Sequence, residues 1–360
     1  MRTSTITVAL TLVLVAAACN SQGSQSFEKK AVTRTVTGTE MKVKDLVGSG
    51  IVCAYDDLLL LREARDTSIL VIYRVEGDSL VYVNGLINKG RGPREVIYTD
   101  FSLSGDSLFV SNSDPTGIKA IYGLPMKDIE HMDDPKLWKE YAYEERNLQT
   151  GLSFAKLDDG VFIFSGGTPN TKQILSIADF NRNTRTPLDF WPADSTQGPL
   201  HSKQMVYMQS YLQSQKGHLL YSNRYAWYMF IAKERGGKLD IEHMIYPRLP
   251  KYKIKSDENI GYTIDGELGI QPYTTQKYIY ATLGKTRKEL MDNNSYKGFP
   301  VTYVDEVEVY DWNGQFIDNY QTDVPFFSFA VSSDNKYLYT ISVNSDLRET
   351  TILRYELSLR

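Results

Sequence analysis

The chain has 360 residues, with 40 Lys and Arg against 44 Asp and Glu, which gives a formal net charge of -4. A hydrophobic content of 42% with 23% charged residues excludes an intrinsically disordered chain, and the slight acidity argues against a nucleic-acid-binding protein. The length is enough for one large repeat domain, and 25 Tyr together with many Val, Ile and Thr favour β structure.

The N-terminal residues have the pattern of a bacterial export signal. Arg2 gives a positive start, and residues 6–18 form an uncharged, mostly apolar run that is too short to span a bilayer. The run ends in Ala16-Ala17-Ala18-Cys19, which resembles the lipobox of bacterial lipoproteins, where type II signal peptidase cleaves before the lipidated Cys. We therefore predict a signal peptide over residues 1–18 and a lipid on Cys19. The alternative is an ordinary signal peptide followed by a chance Cys.

A polar segment follows Cys19, and we predict a flexible tether over residues 19–37. Several acyl chains, at about 0.8 kcal/mol per buried methylene, would make the anchor stable. Because no acidic run follows Cys19, we expect the protein on the outer membrane facing the periplasm, with display at the cell surface left open. Cys53, in an apolar strand-like run, is predicted to be a buried small hydrophobe.

Short apolar runs bounded by turn residues recur along the mature chain and indicate strands. Their ends fall about 50 to 60 residues apart, near Leu61, Val110, Phe164, Tyr221, Ala281 and Ile341. Each interval holds room for four strands, a spacing that is typical of propeller blades rather than of a sandwich. The sequence therefore predicts an all-β fold, a six-bladed β-propeller of four-stranded antiparallel blades, over residues 38–360.

The blade boundaries follow from the same runs. We predict blades over residues 50–87, 98–146, 152–191, 205–246, 268–321 and 326–360. The last blade has only three strands, and residues 38–46 are predicted to supply its outer strand and close the ring. Asn313-Gly314 predicts a two-residue hairpin turn, and short helices are predicted within residues 125–141 and 284–300.

Gly-Asp-Ser-Leu occurs twice, at residues 77–80 and 105–108, and Asp-Ile-Glu-His follows at 128–131 and 240–243. In one esterase family the first tetrad carries the nucleophilic Ser. Each tetrad here lies between apolar runs, so we interpret it as a hairpin turn followed by a strand. The parallel sheet covered by helices that those esterases have is not predicted for this chain.

A glycine-rich crossover follows the first blade. Its sequence is Gly90-Arg91-Gly92-Pro93-Arg94-Glu95. Together with the lipobox, the six apolar runs and the Asp311-Trp312-Asn313-Gly314 hairpin, it resembles the TolB-like six-bladed propeller lipoproteins, which often have Gly-x-Gly-Pro-Gly-Glu-Phe there. In this chain Arg94 replaces Gly and Val96 replaces Phe. The resemblance implies a fold and an envelope location, and it brings no catalytic residues.

Polar loops after the second strand of each blade share one propeller face with the crossovers and surround the channel. From them we select candidate ligand-binding residues Arg62, Asn112, Asp114, Asn223, Arg224 and Arg287. The crossover adds Arg91, Arg94 and Glu95. Guanidinium groups suit bidentate capture of carboxylate or phosphate, which predicts an anionic group on the partner. The alternative is that Glu95 pairs with an arginine and the crossover is structural.

The four His are scattered along the chain, so we predict no metal site and no cofactor. We expect a monomeric, lipid-anchored binding or scaffolding protein that recognises a protein, peptide or glycan over one propeller face. The alternative is a hydrolase or lactonase at the channel mouth. Convergent carboxylates, a His–carboxylate pair or a metal at the mouth would distinguish the enzyme.

Overall fold

The computed structural model describes residues 28–43, 48–63, 67–92, 94–114, 117–142, 153–168, 171–255, 259–292, 303–344 and 349–359. The predicted signal peptide, Cys19 and residues 20–27 of the predicted tether lie outside the described residues. No helix among the described residues combines the length and hydropathy needed to span a membrane.

Six antiparallel sheets form the blades of a β-propeller, as the sequence predicts. Before them, the N-terminal segment supplies β1 (Arg34–Val36), β2 (Thr39–Glu40) and β3 (Lys42–Val43). Blade 1 contains β4 (Gly48–Tyr55), β5 (Leu58–Glu63), β6 (Ser68–Glu76) and β7 (Ser79–Asn88). Blade 2 contains β8 (Phe101–Ser104), β9 (Ser107–Asp114), β10 (Gly117–Pro125) and β11 (Lys139–Ala142). Blade 3 contains β12 (Phe154–Asp158), β13 (Val161–Ser165), β14 (Leu175–Asp179) and β15 (Thr184–Pro187).

The remaining blades carry most of the additional elements. Helix α1 (Leu200–Met208) precedes blade 4, which contains β16 (Ser210–Gln215), β17 (His218–Asn223), β18 (Tyr228–Arg235) and β19 (Lys238–Pro247). A hairpin of β20 (Tyr252–Ile254) and β21 (Ile260–Tyr262) then leads to blade 5. Blade 5 contains β22 (Ile270–Thr274), β23 (Tyr278–Leu283), helix α2 (Arg287–Asp292), β24 (Val304–Asp311) and β25 (Phe316–Phe326). Blade 6 contains β26 (Ser328–Val331), β27 (Tyr337–Asn344) and β28 (Glu349–Glu356).

The N-terminal segment closes the ring, as predicted. It also pairs with two more blades than predicted. Strand β2 pairs antiparallel with β28 and is the fourth strand of blade 6. Strand β1 adds parallel to the outer edge of blade 5, and β3 adds parallel to the outer edge of blade 1. We call residues 28–43 the N-terminal strap, because they join three blades. Contacts with the propeller begin at Lys29, before the predicted boundary at residue 38.

The turn predictions are confirmed at the two Gly-Asp-Ser-Leu tetrads. Gly77 and Gly105 have φ of 60° and 58° in the turns that precede β7 and β9, a conformation that glycine adopts without strain. The Asn313-Gly314 prediction is wrong in length. Asp311 N–H donates to Gln315 O at 3.0 Å, so three residues form the loop. Only Gly314 has positive φ there, whereas a two-residue type I′ turn needs positive φ at both central residues.

Among the helical segments, one was missed. Residues 125–141 contain two 3₁₀ turns, Met126–His131 and Pro135–Leu137, and α2 lies in the second predicted region. Helix α1 was not predicted, and blade 4 therefore begins at Ser210 rather than at residue 205. The helix has no side-chain cap at its N-terminus and no clear apolar stripe, so the usual helix signals are missing.

The core lies between neighbouring blades, where apolar side chains of the middle strands face each other. Leu59, Leu60 and Leu61 of β5 are at most 1% exposed. Within blade 4, the rings of the cross-strand partners Tyr221 and Phe230 stack with centroids 4.9 Å apart. Cys53 belongs to this core, and burial raises the pKa of its thiol to about 12. Cys53 is therefore a protonated core side chain, as predicted, rather than a nucleophile.

Candidate ligand-binding site at the channel mouth

The two faces of the propeller differ in how much chain they carry. Crossovers between blades and loops between second and third strands emerge on one side, which we call the upper face. It carries α1, the β20–β21 hairpin and α2. The opposite, lower face has mainly short hairpin turns such as those at Gly217 and Gly236. Binding residues concentrate on elaborated loops over a rigid scaffold, so the upper face is the candidate functional face.

Four side chains from three blades converge at the upper end of the channel: Arg62, Asp100, Tyr211 and Arg224. We call them the mouth cluster. The innermost strands β8 and β16 contact each other across the channel. Asp100 directly precedes β8, and Tyr211 is the second residue of β16, so this contact brings them together. The guanidinium groups of Arg224 and Arg62 both act electrostatically on the Asp100 carboxyl.

The two arginines of the mouth cluster are held in fixed orientations. The Arg224 guanidinium carbon lies 4.2 Å from the Tyr211 ring centroid, and its Nε donates to Ser210 O at 3.2 Å. Arg62 Nη2 donates to Thr99 O, and its guanidinium carbon lies 5.4 Å from the Phe101 ring centroid. Stacking on an aromatic ring orients a guanidinium while leaving several of its N–H groups available.

The charges of the mouth cluster do not cancel. Burial raises the pKa of the Asp100 carboxyl above its ordinary value, although Arg224 and Arg62 oppose that rise. Burial also raises the pKa of the Tyr211 phenol, so it stays neutral. Two guanidinium groups therefore face one carboxyl group in a poorly solvated place. An additional anion would be stabilised there.

A groove leads from the mouth cluster outward between blades 4 and 5. Its inner part is a cavity of about 80 Å³, lined by residues that include Tyr211, Arg224, Gln271 and Thr282. Its outer part is a cavity of about 230 Å³, lined by residues that include Lys29, Trp227, Arg248, Glu267, Lys285 and Glu306. Both cavities are bordered by Gly284 and Val304, so they adjoin each other. We call the pair the upper groove.

Two glycines border the inner part of the upper groove. A Cβ at Gly269 would overlap the Asn223 carbonyl oxygen, so this glycine lets blade 5 approach blade 4 closely. A Cβ at Gly284 would lie 2.7 Å from Leu268 Cβ, at the start of the same blade 5. A larger residue at Gly269 would push the two blades apart, and one at Gly284 would displace Leu268.

Further arginines of the upper face stack on aromatic rings. Arg248, which lines the outer part of the upper groove, lies 4.8 Å from a Trp227 ring centroid and pairs with Glu267 at 3.1 Å. Arg287 lies 4.6 Å from the Tyr262 ring centroid. Tyr262 stacks in turn on Tyr225, with centroids 4.3 Å apart. The first stack is part of the groove wall, and the second is formed with the crossover hairpin.

The predicted loop residues have different locations. Arg62 and Arg224 lie in the mouth cluster, and Arg287 lies on the Tyr225–Tyr262 stack. Asn223 is fully buried; it donates to Val206 O at 3.1 Å and accepts from Tyr225 N at 2.8 Å, so it shapes the loop. Asn112 donates to the Tyr122 hydroxyl at 3.3 Å. Asp114 is the last residue of β9, and its side chain lies outside what the structure describes.

In the glycine-rich crossover, Glu95 accepts from Gly92 N–H at 2.7 Å, and a Cβ at Gly90 would overlap its carboxylate. Arg94 has φ of 61° and pairs with Glu140 at 3.5 Å. Arg91 is exposed. Glu95 therefore bonds to its own loop, and Arg94 makes its ion pair with blade 2.

Sequence reasoning missed Asp100, Tyr211 and the Trp227–Arg248–Glu267 group. One signal was available. Near the upper end of the second strand, a hydroxyl residue occupies equivalent positions in five blades: Ser111, Ser165, Ser222, Thr282 and Ser342. In blade 1 the same position is Arg62. The residue of the innermost strand that pairs with this hydroxyl residue lies at the channel mouth. This residue is Asp100 in blade 2, opposite Ser111, and Tyr211 in blade 4, opposite Ser222.

The groups expected of a hydrolase are placed elsewhere. His218 Nδ1 lies 3.1 Å from Glu242 Oε2, at the start of β17 and therefore toward the lower face. Burial, with nearby Lys233, lowers the pKa of His218. The described contacts bring no histidine to the mouth cluster. In the same described residues, no group of three or more His, Cys, Asp and Glu is arranged to hold a metal ion.

The solved structures that match the chain are only distantly similar to it. It is similar to the WD40 repeats of RRP9, at 11% identity and TM-score 0.43, over 90% of this chain and 97% of that one. It is also similar to the WD40 domain of Toxoplasma gondii coronin, at 11% identity and TM-score 0.42, over 88% and 71%. A third similar structure is Kuenenia stuttgartiensis hydrazine synthase, at 11% identity and TM-score 0.38, over 84% and 83%. No family model matches the chain, and no curated protein matches it.

Proposed function

We infer that the chain is a lipid-anchored binding protein of the bacterial cell envelope, which holds a partner over the upper face of its propeller. The observation that carries the binding role is the mouth cluster, where oriented guanidinium groups outnumber the carboxyl group between them. The anchor and the location are supported by the Ala16-Ala17-Ala18-Cys19 pattern and by the resemblance to TolB-like lipoproteins.

The crossover adds support for that resemblance. Arg94 occupies the position where TolB-like lipoproteins often have glycine, and it adopts the left-handed conformation that glycine favours. The positive φ of Arg94 therefore fits the glycine that the family often has at this position, although the residue differs.

Exposed apolar side chains on the upper face favour a protein partner. Ile97 is 43% exposed, Tyr98 57%, Met205 36% and Ile264 54%, and all four belong to crossovers between blades. Apolar side chains beside Arg, Tyr and Trp are typical of protein–protein interfaces. Binding is favoured over catalysis because the mouth cluster holds one carboxyl group and no nucleophile among the described residues.

Site-specific crosslinking tests the binding face. A photoreactive residue at Ile97 or Ile264 should give discrete crosslinked adducts in intact cells. The same residue at Lys216 or Arg182, on exposed lower-face turns, should give few. Adducts of equal yield from both faces, or from neither, would contradict the proposed function.

The anchor is tested separately. Cys19→Ala should leave an unprocessed precursor that does not incorporate an alkyne-tagged fatty acid, because both cleavage and acylation need the thiol. The wild-type chain should be processed and labelled. A Cys19→Ala chain that is still labelled and has the same mature N-terminus would refute lipidation at this residue.

A further inference from the structure

We propose that the inner part of the upper groove binds one carboxylate, which accepts hydrogen bonds from the guanidinium of Arg224 and from the side chains of Tyr211 and Gln271. This inference rests on the proposed function and names the chemical group through which the partner is recognised. It is carried by the residues that line the cavity, by the open donors of Arg224 and by the charge balance of the mouth cluster.

The inner part of the upper groove has a single charged residue, Arg224, among the described residues that line it. The others are neutral: Tyr211, Gln271, Thr282, Val304 and two glycines. Thr282 Oγ1 donates to Gln271 O at 3.3 Å. In the described chain, no hydrogen bond uses the Gln271 side-chain amide or the Tyr211 hydroxyl. Both groups can therefore donate to a ligand beside the guanidinium.

Arg224 presents its donors in a fixed position. Its backbone is anchored twice, because its N–H donates to Gln209 O at 2.9 Å and its O accepts from Gly269 N–H at 3.0 Å. Its side chain is held by the Tyr211 ring and by the bond from Nε to Ser210 O. That bond uses one of the five guanidinium N–H groups. Within the described chain the other four have no acceptor, and the edge between the two Nη atoms matches the two oxygens of a carboxylate.

The charge balance of the mouth cluster favours a ligand group with one negative charge. Arg224 and Arg62 share one carboxyl group, that of Asp100, which also acts electrostatically on Tyr211. When Asp100 is ionised, one positive charge is left without a counter-charge. A carboxylate supplies one negative charge. A phosphate monoester carries about −1.5 to −2 and would leave this poorly solvated place negative.

The cations in the outer part of the upper groove already have carboxylate neighbours. The pairs are Lys29 with Glu306 at 2.7 Å, Arg248 with Glu267 at 3.1 Å and, at longer range, Lys285 with Glu289. Arg224 has no such ion pair in the described chain. The carboxylate is therefore bound in the inner part, and the rest of the partner extends into the outer part that adjoins it.

Fluorescence anisotropy with labelled octapeptides of Gly and Ser tests the site on the full mature chain. The dye is at the N-terminus and carries no carboxylate. Four peptides are compared: one with a free C-terminus, one amidated, one amidated with a central Glu and one amidated with a central phosphoserine. The free C-terminus or the Glu peptide should bind, and the other two should bind about tenfold more weakly or less. Propionate, titrated by calorimetry, represents small free acids; if it binds and no peptide does, the carboxylate site is supported and its ligand is a small acid.

Two substitutions should change the affinity for the carboxylate probe in opposite directions. Arg224→Lys keeps the charge and removes the fork, and it should weaken binding about tenfold at an unchanged thermal midpoint. Asp100→Asn keeps an acceptor for Phe101 N–H and removes a competing negative charge, so at pH 8 it should strengthen binding about threefold or more. A folding defect cannot imitate this gain. Arg182→Lys, at an exposed arginine of a lower-face turn, is the matched control and should bind as the wild type does.

The inference fails if the amidated or the phosphoserine peptide binds as tightly as the carboxylate peptides. Equal losses in Arg224→Lys and Arg182→Lys would also overturn it, as would an Asp100→Asn chain that binds no better than the wild type. If neither a carboxylate peptide nor propionate binds while the upper-face crosslinks form, the inference fails and the proposed function stands. If the crosslinks are also absent, both fail.

Discussion

Deleting residues 28–43 should lower the free energy of unfolding by several kcal/mol, whereas deleting residues 20–26 should change it little. The first deletion removes the whole N-terminal strap. Blade 6 would lose its fourth strand, and the edge of β28 would be exposed. Met41, which is 2% exposed and donates its N–H to Ile352 O at 2.9 Å, would be lost from the core.

The strap also contributes specific polar contacts on blade 5. Arg34 pairs with Asp318 at 2.8 Å, and Thr33 N–H donates to Asn319 O at 3.0 Å. Asn319 is fully buried, and its Nδ2 donates to Lys30 O at 2.9 Å. Without the strap, these buried polar groups would face solvent or lose their partners, which costs free energy at each group.

Chemical denaturation of both deletion variants measures the effect. A third variant lacking residues 28–37 keeps β2 and β3 but loses the blade 5 contacts, and its stability should be intermediate. Equal denaturation midpoints for the chains lacking residues 28–43 and 20–26 would show that the strap does not close the ring.

The propeller could be predicted from the sequence because its signal is repeated. Each blade places an apolar second strand in the core, so runs such as those ending at Leu61 and Tyr221 mark the blades at a regular spacing. Closure of the ring by the N-terminal segment could be predicted from the number of strands. The last blade has only three strands before the chain ends, whereas each of the others has four. The parallel additions of β1 and β3 could not be predicted, because two or three residues carry no periodicity.

The mouth cluster could be predicted only in part. Arg62 and Arg224 were found because they lie at or just after the ends of second strands. Asp100 and Tyr211 were missed because they come together only where β8 and β16 contact each other across the channel. Those strands belong to blades 2 and 4, and the whole of blade 3 lies between them in the sequence. A local pattern cannot report a contact between groups that are more than 100 residues apart. Arg248 and Glu267 are only 19 residues apart, but they meet because the hairpin between them folds back, which a local pattern does not show either.

Buried polar residues in strands were also beyond the sequence pattern. Val-Asp-Glu-Val-Glu-Val-Tyr-Asp in β24 alternates polar and apolar residues, which predicts an exposed face for Glu308. In the structure Glu308 is fully buried. Its carboxylate is covered by blade 4 on one side and by the N-terminal strap on the other, and neither neighbour can be inferred from β24 itself.

Glu308→Ala should lower the free energy of unfolding by about 3 kcal/mol or more, because several buried donors would lose their acceptor together. Glu308 Oε2 accepts from the Tyr246 and Tyr310 hydroxyls at 2.6 Å each. Its Oε1 accepts from Lys30 N–H at 2.8 Å. The substitution would remove the carboxylate acceptor from all three groups, create a cavity and loosen the strap from blade 5. Denaturant titration measures the loss, and a change below about 1 kcal/mol would contradict the role assigned to this residue.

Glu308→Gln is the matched control, because it keeps the size and one acceptor oxygen but cannot ionise. Burial raises the pKa of the Glu308 carboxyl in the folded chain above its ordinary value of about 4.3. The folded chain therefore binds this proton more tightly than the unfolded chain does. The resulting stabilisation is complete below pH about 4.3 and is lost as pH rises through the raised folded pKa. The stability of the wild type relative to Glu308→Gln should accordingly fall with rising pH over that window. A difference between the two proteins that stays constant from pH 4 to pH 8 would show that Glu308 titrates alike in the folded and unfolded chains.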